Sequence, residues 1–282
     1  MLKQRIVTAL VLLALLLPAM FAVQSWPFAL LTLILIAAAG WEWGRLNGAN
    51  MLASLLMGAL LALGGAWALQ SGLTARLPRL FWWLAAMIWM VGGVAALYGG
   101  PVAWPRVPSM IRLAIGAIGL ALAWLALSLA RDIGINFVLS ILALVWAADI
   151  AAYAGGRAFG KRKLAPTISP GKTWEGAFSG AAGVLLLGLL WQLVDRAPWV
   201  DSASVFTQLS RLGGVATFVL GAVLLSATSV VGDLLESLVK RAAGAKDSSA
   251  LLPGHGGVLD RIDALLPVFP LAMAMAMTLT AS

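Results

Sequence analysis

Unbroken apolar runs, bounded by Pro, Gly, Trp or charged residues, dominate the chain. Nine of them are long enough to cross a bilayer as helices, which takes about 20 apolar residues each. They fall at about 5–23, 27–46, 51–69, 80–98, 110–130, 134–154, 175–195, 212–231 and 264–281 of the 282 residues. Apolar positions do not alternate with polar ones, as the strands of a transmembrane barrel require. The pattern predicts an all-α, polytopic integral membrane protein in two regions, five spans over 1–132 and four spans with their connecting motif loops over 133–282. The first run follows Lys3 and Arg5 and imitates a secretory signal peptide, but its length and the spans behind it predict an uncleaved helix. Pro18 should kink that helix without ending it, because neighbouring helices can satisfy the freed backbone groups.

Composition sharpens the picture. Apolar residues make up 62% of the chain and charged residues 11%, against about 25% charged in a soluble domain, so a water-soluble fold is excluded. There are no cysteines, which excludes disulfides, thiolate metal sites and cysteine nucleophiles, and leaves any metal to oxygen ligands or the single His255. The net charge of +8 is a topology signal in such a chain, and nucleic acid is not expected as a partner. Of the 19 Lys and Arg residues, 14 fall on the side of the N-terminus and of segments 155–173 and 232–263, and five, among them Arg76, on the other. Positive charge stays in the cytoplasm, so the N-terminus and both segments are expected inside and the C-terminus outside. Trp41, Trp43, Trp82, Trp83, Trp104, Trp174 and Trp199 lie near span ends and read as interfacial anchors. The glycine pairs 64/65 and 92/93 read as close helix packing.

Glu42 is the only acid before residue 132, so chemistry is expected in the second half. The first polar segment runs DIAAYAGGRAFGKRKLAPTISPGKTWE from Asp149 to Glu175. Asp149, Tyr153 and Gly156 share one helix face, and an acid within a span is costly unless it pairs, faces water or binds an ion. Gly155, Gly156 and Gly160 would let backbone approach a ligand, and Arg157, Lys161, Arg162, Lys163 and Lys172 supply charge for phosphate. Arg162 and Lys163 equally suit a juxtamembrane basic cluster touching anionic membrane lipids. Gly171, Lys172 and Thr173 imitate the end of a Walker A loop, but Pro166 stands where its first glycine belongs and no strand is expected before it.

The second segment, residues 232–263, reads GDLLESLVKRAAGAKDSSALLPGHGGVLDRID. Asp233, Glu236 and Lys240 form one stripe at the end of the eighth span. Lys246, Asp247, a glycine-flanked His255, and Asp260, Arg261 and Asp263 follow. Carboxylates gathered with cations suit Mg²⁺ and polyphosphate, because Mg²⁺ is held by one or two carboxylates plus substrate phosphates. The plain alternative is a solvated, salt-bridged connection, and for His255 a packed or capping histidine.

The run Ser237, Val239, Lys240, Arg241, Lys246, Asp247, Ser249, Leu252, Pro253, His255, Gly256, Gly257, Val258, Asp260, Arg261, Ile262 and Asp263 resembles the signature of the phosphatidate cytidylyltransferases, the CDP-diacylglycerol synthases. The segment from Asp149 to Glu175 is similar to that family's other characteristic stretch. Gly171, where Lys or Asn is more usual, and Ala264, where Ser is common, depart from the pattern. The resemblance implies a multi-pass protein of the bacterial inner membrane that makes CDP-diacylglycerol and pyrophosphate from CTP and phosphatidate. It further implies a homodimer and a two-metal centre held by Asp233 and Asp260, with Mg²⁺ as the cofactor. Asp149, Glu236 and Asp263 would support the metals. Lys246 and His255 join the two aspartates as expected catalytic residues. Lys172, Arg261, Ser169, Lys240, Arg241, Gly256 and Gly257 are expected to bind substrate. Two competing readings are a CTP-dependent polyprenol kinase and a transporter with intramembrane acids; the latter often carries repeated halves, and none is visible here.

Overall fold

The computed structural model describes residues 2–73 and 77–279, so Arg76 and the C-terminal residues 280–282 lie outside the described residues. The helices are α1 (Leu2–Phe21), α2 (Trp26–Leu46), α3 (Met51–Ser71), α4 (Arg79–Ala103), α5 (Ser109–Ile133), α6 (Ile135–Phe159), α7 (Trp174–Val194), α8 (Val205–Ala242), α9 (Leu259–Ile262) and α10 (Leu265–Leu279). Among the described residues, nine helical stretches are long and apolar enough to cross a membrane, the last running from Leu259 to Thr278. The expected helical membrane architecture is thus found.

Side chains start several helices where the first amides lack partners. Asn50 accepts from the Ala53 amide, Thr173 from Gly176 and Ser204 from Thr207. The helix α1 continues through Pro18 to Phe21. The main departure from the apolar pattern is α8, which continues to Ala242, well past the end of its apolar run. Leu, Glu, Lys, Arg and Ala sustain a helix whether or not lipid surrounds it, and the chain turns only at Gly244, at φ +67°. At its other end α8 is broken at Gly213 and Gly214, the latter at φ +70°.

An unexpected antiparallel hairpin joins α6 to α7: β1 (Lys163–Ala165) pairs with β2 (Ser169–Thr173), Lys163 opposite Thr173 and Ala165 opposite Ser169. A strand therefore does precede Gly171, Lys172 and Thr173, contrary to the sequence-based expectation. Those residues lie in the second strand of the hairpin, in no phosphate-wrapping loop, and Pro166 still breaks the motif.

Helices α6 and α7 lie nearly backbone to backbone. A Cβ at Gly176 would stand 2.8 Å from the Ala152 carbonyl oxygen, and one at Gly180 2.9 Å from that of Ala148. Gly155 faces Ser179, and Gly160 faces Thr173 and the Gly156 carbonyl. Gly155 and Gly160 thus serve helix and hairpin packing, and only Gly156 of the expected three lines a cavity. Each span-borne glycine pair divides its work: Gly65 packs on Leu33 and Trp124 and Gly93 on Val231, while Gly64 and Gly92 face open space.

The core runs through α10, whose Val268, Phe269 and Ala272 pack with Phe137, Ile141 and Leu144 of α6 and Leu225 of α8. Three tryptophans expected at the interface are buried instead. Trp82 is wholly enclosed, Trp43 donates to the Arg112 carbonyl at 2.8 Å, and Trp104 to Asn47 Oδ1 at 2.9 Å. For Trp43 and Trp104, an indole near a span end serves helix packing because its N–H finds a partner, whereas Trp82 packs with its N–H unpartnered among the described residues. Trp174 and Trp199 are exposed, as anchors would be. At the end of α6 remote from the hairpin, Asp201 accepts from the Ile135 and Asn136 amides, and Arg131 donates to the Met20 and Ala22 carbonyls. Those contacts close the helix termini at that end.

Candidate active site

The hairpin, α6 and α8 enclose a cavity of about 590 Å³ lined by Asp149, Tyr153, Gly156, Arg157, Ser169, Gly171, Lys172 and Asp233. The hairpin is held at its base, where Glu175 accepts from the amides of Lys161 and Arg162 at 3.1 Å each. At its turn, Ile168 is buried and its carbonyl accepts from Arg241 Nε at 3.4 Å. So fixed, β2 aims Lys172 at α8, where its Nζ lies 2.6 Å from Asp233 Oδ2. Ser237 Oγ, one turn on, donates to Asp233 Oδ1 at 3.3 Å. Gly171 faces open space, so the departure from Lys or Asn removes a side chain from the cavity wall and blocks nothing.

Gly232 sets how closely α8 meets the start of α10. A Cβ there would stand 2.5 Å from the Asp263 carbonyl oxygen and 3.0 Å from Ala264 Cα. Asp233 and Asp263 therefore sit on adjoining backbones. Asp263 Oδ1 accepts from the Ala264 amide at 2.7 Å.

Farther along α8, Lys240 Nζ lies 2.6 Å from both Glu236 Oε2 and Asp260 Oδ1. Glu236 is 3% exposed and, apart from this ion pair, its carboxylate has no hydrogen-bond donor among the described residues. Asp260 is far better supplied: its Oδ2 accepts from the Ser248 amide at 2.9 Å, from Ser248 Oγ at 2.8 Å and from the Gly257 amide at 2.8 Å. It closes the loop between α8 and α9 on itself.

That loop makes a tight turn in which the Leu252 amide donates to Gly256 O and the His255 amide to Leu252 O, both at 2.8 Å. Gly254 at φ +77° and Gly256 at φ +84° permit it. The turn borders a second cavity of about 450 Å³, lined by Lys246, Asp247, His255, Gly256, Arg261 and, from α1, Arg5. Arg261 Nε donates to the His255 carbonyl at 2.9 Å. From α1, Arg5 Nε donates to Gly254 O at 3.0 Å and Thr8 Oγ1 to Pro253 O at 2.9 Å.

The residues singled out from the sequence thus divide among several places. Asp149, Ser169, Lys172 and Asp233 share the first cavity, and Lys246, His255, Gly256 and Arg261 the second. Glu236, Lys240 and Asp260 form an ion-pair network, and Gly257 is buried against Ser248 and Glu42. Arg241 pins the hairpin turn. Sequence reasoning missed Glu42, which is fully buried and bonded to this same loop. A signal existed: a lone acid in an apolar helix demands a partner.

A bundle of membrane-crossing helices with cations and carboxylates facing two cavities, one against α6, the hairpin and α8 and the other against α1 and the loop after α8, defines a membrane protein built to handle phosphate groups. A model of the cytidylyltransferase family matches residues 3–279, and the chain belongs to that family. It is 38% identical to the phosphatidate cytidylyltransferase of Pseudomonas aeruginosa, with 98% of this chain and 97% of that one aligned. The enzyme of the same name from Haemophilus influenzae is 34% identical, over 96% of each chain, and that of Brucella suis 38%, over 85% and 80%.

Proposed function

We infer that this protein is a phosphatidate cytidylyltransferase, a nucleotidyltransferase of phospholipid biosynthesis that turns CTP and phosphatidate into CDP-diacylglycerol and pyrophosphate. The observation that carries this reading is Lys172 paired with Asp233 on a cavity shared with Asp149, in a chain aligned almost end to end with enzymes of that name. In the reaction, a phosphate oxygen of the lipid attacks the α-phosphorus of CTP in line, and the bond to the pyrophosphate oxygen breaks. Little covalent work falls to the protein, so positioning and charge neutralisation dominate. Lys172, oriented by Asp233, meets the phosphoryl group in transfer. Lys246, Arg261 and His255 line the second cavity with the charge and hydrogen-bonding capacity a polyphosphate needs.

The carboxylates also fit Mg²⁺. Among the described residues no three His, Asp or Glu side chains converge as a metal cage, but this ion needs only one or two carboxylates beside substrate phosphates and water. Asp233 and Asp149, facing one cavity, supply them, with Asp263 and Glu236 in support. When bound, the ion would neutralise charge developing on the phosphates. Asp260 contributes through the loop it closes and the Lys240 it holds.

The membrane-crossing helices bring a lipid and a soluble nucleotide to one site, which faces the cytoplasm by the charge asymmetry. The homodimer implied by the family is read from the mass of the purified protein–detergent complex. Purified protein given CTP labelled at the α-phosphate tests the reaction. Label should enter the lipid only when phosphatidate is present, with pyrophosphate released in equal amount. A polyprenol kinase would leave labelled CDP in the aqueous phase, and a transporter would turn over nothing.

A further inference from the structure

We propose that Glu42, on α2, is a positioning residue of this site, holding the loop that carries Lys246, His255 and Arg261 in its working shape. Its carboxylate is 0% exposed and accepts four hydrogen bonds, all from the loop or the start of α9. Oε1 takes Ser249 Oγ at 2.6 Å and the Val258 amide at 2.9 Å. Oε2 takes the Leu259 amide at 2.7 Å and Ser248 Oγ at 3.1 Å. Oε1 thus receives one backbone amide and one hydroxyl, and Oε2 one backbone amide and a hydroxyl it shares with Asp260. Two of those donors are the Val258 and Leu259 amides, which open the α9 segment and lack intrahelical partners.

Only an ionised carboxylate offers acceptors on both sides. A carboxamide would turn its NH₂ toward the amide of either Val258 or Leu259, setting donor against donor in a buried place. No room is left for adjustment, since a Cβ at Gly257 would run into Ser248 Oγ and Glu42 Oε1. The grip is also linked to Asp260. Ser248 Oγ lies 2.8 Å from Asp260 Oδ2 and 3.1 Å from Glu42 Oε2, and one hydroxyl proton serves the two acids. Glu42 itself rides on a fixed frame, because neighbouring Trp43 is bonded to Arg112 and Asn47 to Trp104. The N-terminal helices therefore supply the anchor against which the loop is shaped.

The kinetic part of this proposal rests on the cytidylyltransferase reading, and amide exchange tests the anchoring without it. In full-length Glu42→Gln, the Val258 and Leu259 amides should exchange at least about tenfold faster than in the parent, with α6 and α10 unchanged. KM for CTP should rise about fivefold or more with KM for phosphatidate altered less than about twofold, and Glu42→Asp should recover most of the difference. Parental exchange in the loop of Glu42→Gln overturns the proposal. So does exchange accelerated equally along the whole chain, or KM rising alike for both substrates, as general loosening would cause. If the parent transfers no CMP to lipid, the functional reading fails while the exchange result still decides what Glu42 does. If Glu42→Gln does not accumulate, Ser249→Ala, which removes the 2.6 Å hydroxyl donor from Glu42, is read in the same two ways.

Discussion

Lys172 and Asp233 meet at 2.6 Å across the wall of the first cavity, one from a hairpin strand and the other from a membrane helix, each about one quarter exposed. Neither is buried deeply enough for the pair to be a packing device, and both face the space a phosphate would enter. On the proposed function, Asp233 would hold the ammonium group where incoming phosphoryl oxygens need it. Lys172→Gln keeps a hydrogen-bonding tip and removes the charge. Turnover should fall about 10²- to 10³-fold, the loss typical of one missing preorganised charge partner. Steady-state assay of the purified variant, with its detergent-solubilised elution profile matched to the parent, checks this. A loss below about threefold would remove Lys172 from the chemistry.

The carboxylates of Asp149 and Asp233 on one cavity lead to a second expectation, about metal. Activity should vanish in excess EDTA and return with Mg²⁺, because oxygen ligands with few rigid constraints suit that ion. Asp233→Asn should shift the Mg²⁺ concentration for half-maximal rate upward by about tenfold or more, since one carboxylate is a large share of so small a protein ligand set. Full turnover in chelator would remove the ion from the mechanism.

Orientation is checked with single cysteines, for which a chain without native cysteine is well suited. Thr167, exposed at the hairpin turn, and Pro198, exposed at the opposite ends of the helices, are the informative positions. Thr167→Cys should resist a membrane-impermeant thiol reagent applied to intact cells, and Pro198→Cys should react. The reverse pattern would invert the topology drawn from the charge asymmetry.

Apolar runs report lipid contact, so they located every crossing helix but were blind to what helices do beyond the lipid. The α8 helix shows this: Asp233, Glu236 and Lys240 end its apolar run without ending the helix. The hairpin was invisible because its strands are three and five residues long and carry Lys and Pro in place of alternating apolar positions. The signature residues were legible as a group, but not their division between two cavities, which depends on the hairpin being pinned to α8 and the loop after α8 being bonded to α1. Glu42 lay outside the signature, and its partners are more than two hundred residues away in the chain. The buried Trp43, Trp82 and Trp104 likewise depend on which neighbours reach them.

Gly232 yields a packing prediction. An alanine there places its Cβ 2.5 Å from the Asp263 carbonyl oxygen and 2.9 Å from Pro267 Cγ, so α8 and α10 must separate. Overpacking of this kind costs about 1–3 kcal/mol. Gly232→Ala should lower the thermal midpoint of the purified protein and, by shifting Asp233 against Asp263, reduce turnover further than the stability loss explains. Unchanged unfolding would show that the helices accommodate the methyl group.

Asp260 provides the sharpest test of how the second segment works. Its carboxylate receives four donors: the Lys240 ammonium on Oδ1, and Ser248 N, Ser248 Oγ and Gly257 N on Oδ2. In Asp260→Asn, an NH₂ group must face either Lys240 or the two amides, and each choice sets donor against donor. Lys240 also loses one of its two carboxyl partners, leaving Glu236 alone with it. A change confined to a solvated loop acid would alter stability by under about 0.5 kcal/mol and activity by less than about twofold. Loss of a buried charge partner that orders the loop should instead lower turnover by about 10²-fold or more. The variant must still insert and purify as the parent does, so that lost activity is not lost folding. Given that control, near-parental synthesis of CDP-diacylglycerol would contradict the role of Asp260. It would leave Lys172 and Asp233, with Asp149, to carry the chemistry from the first cavity alone.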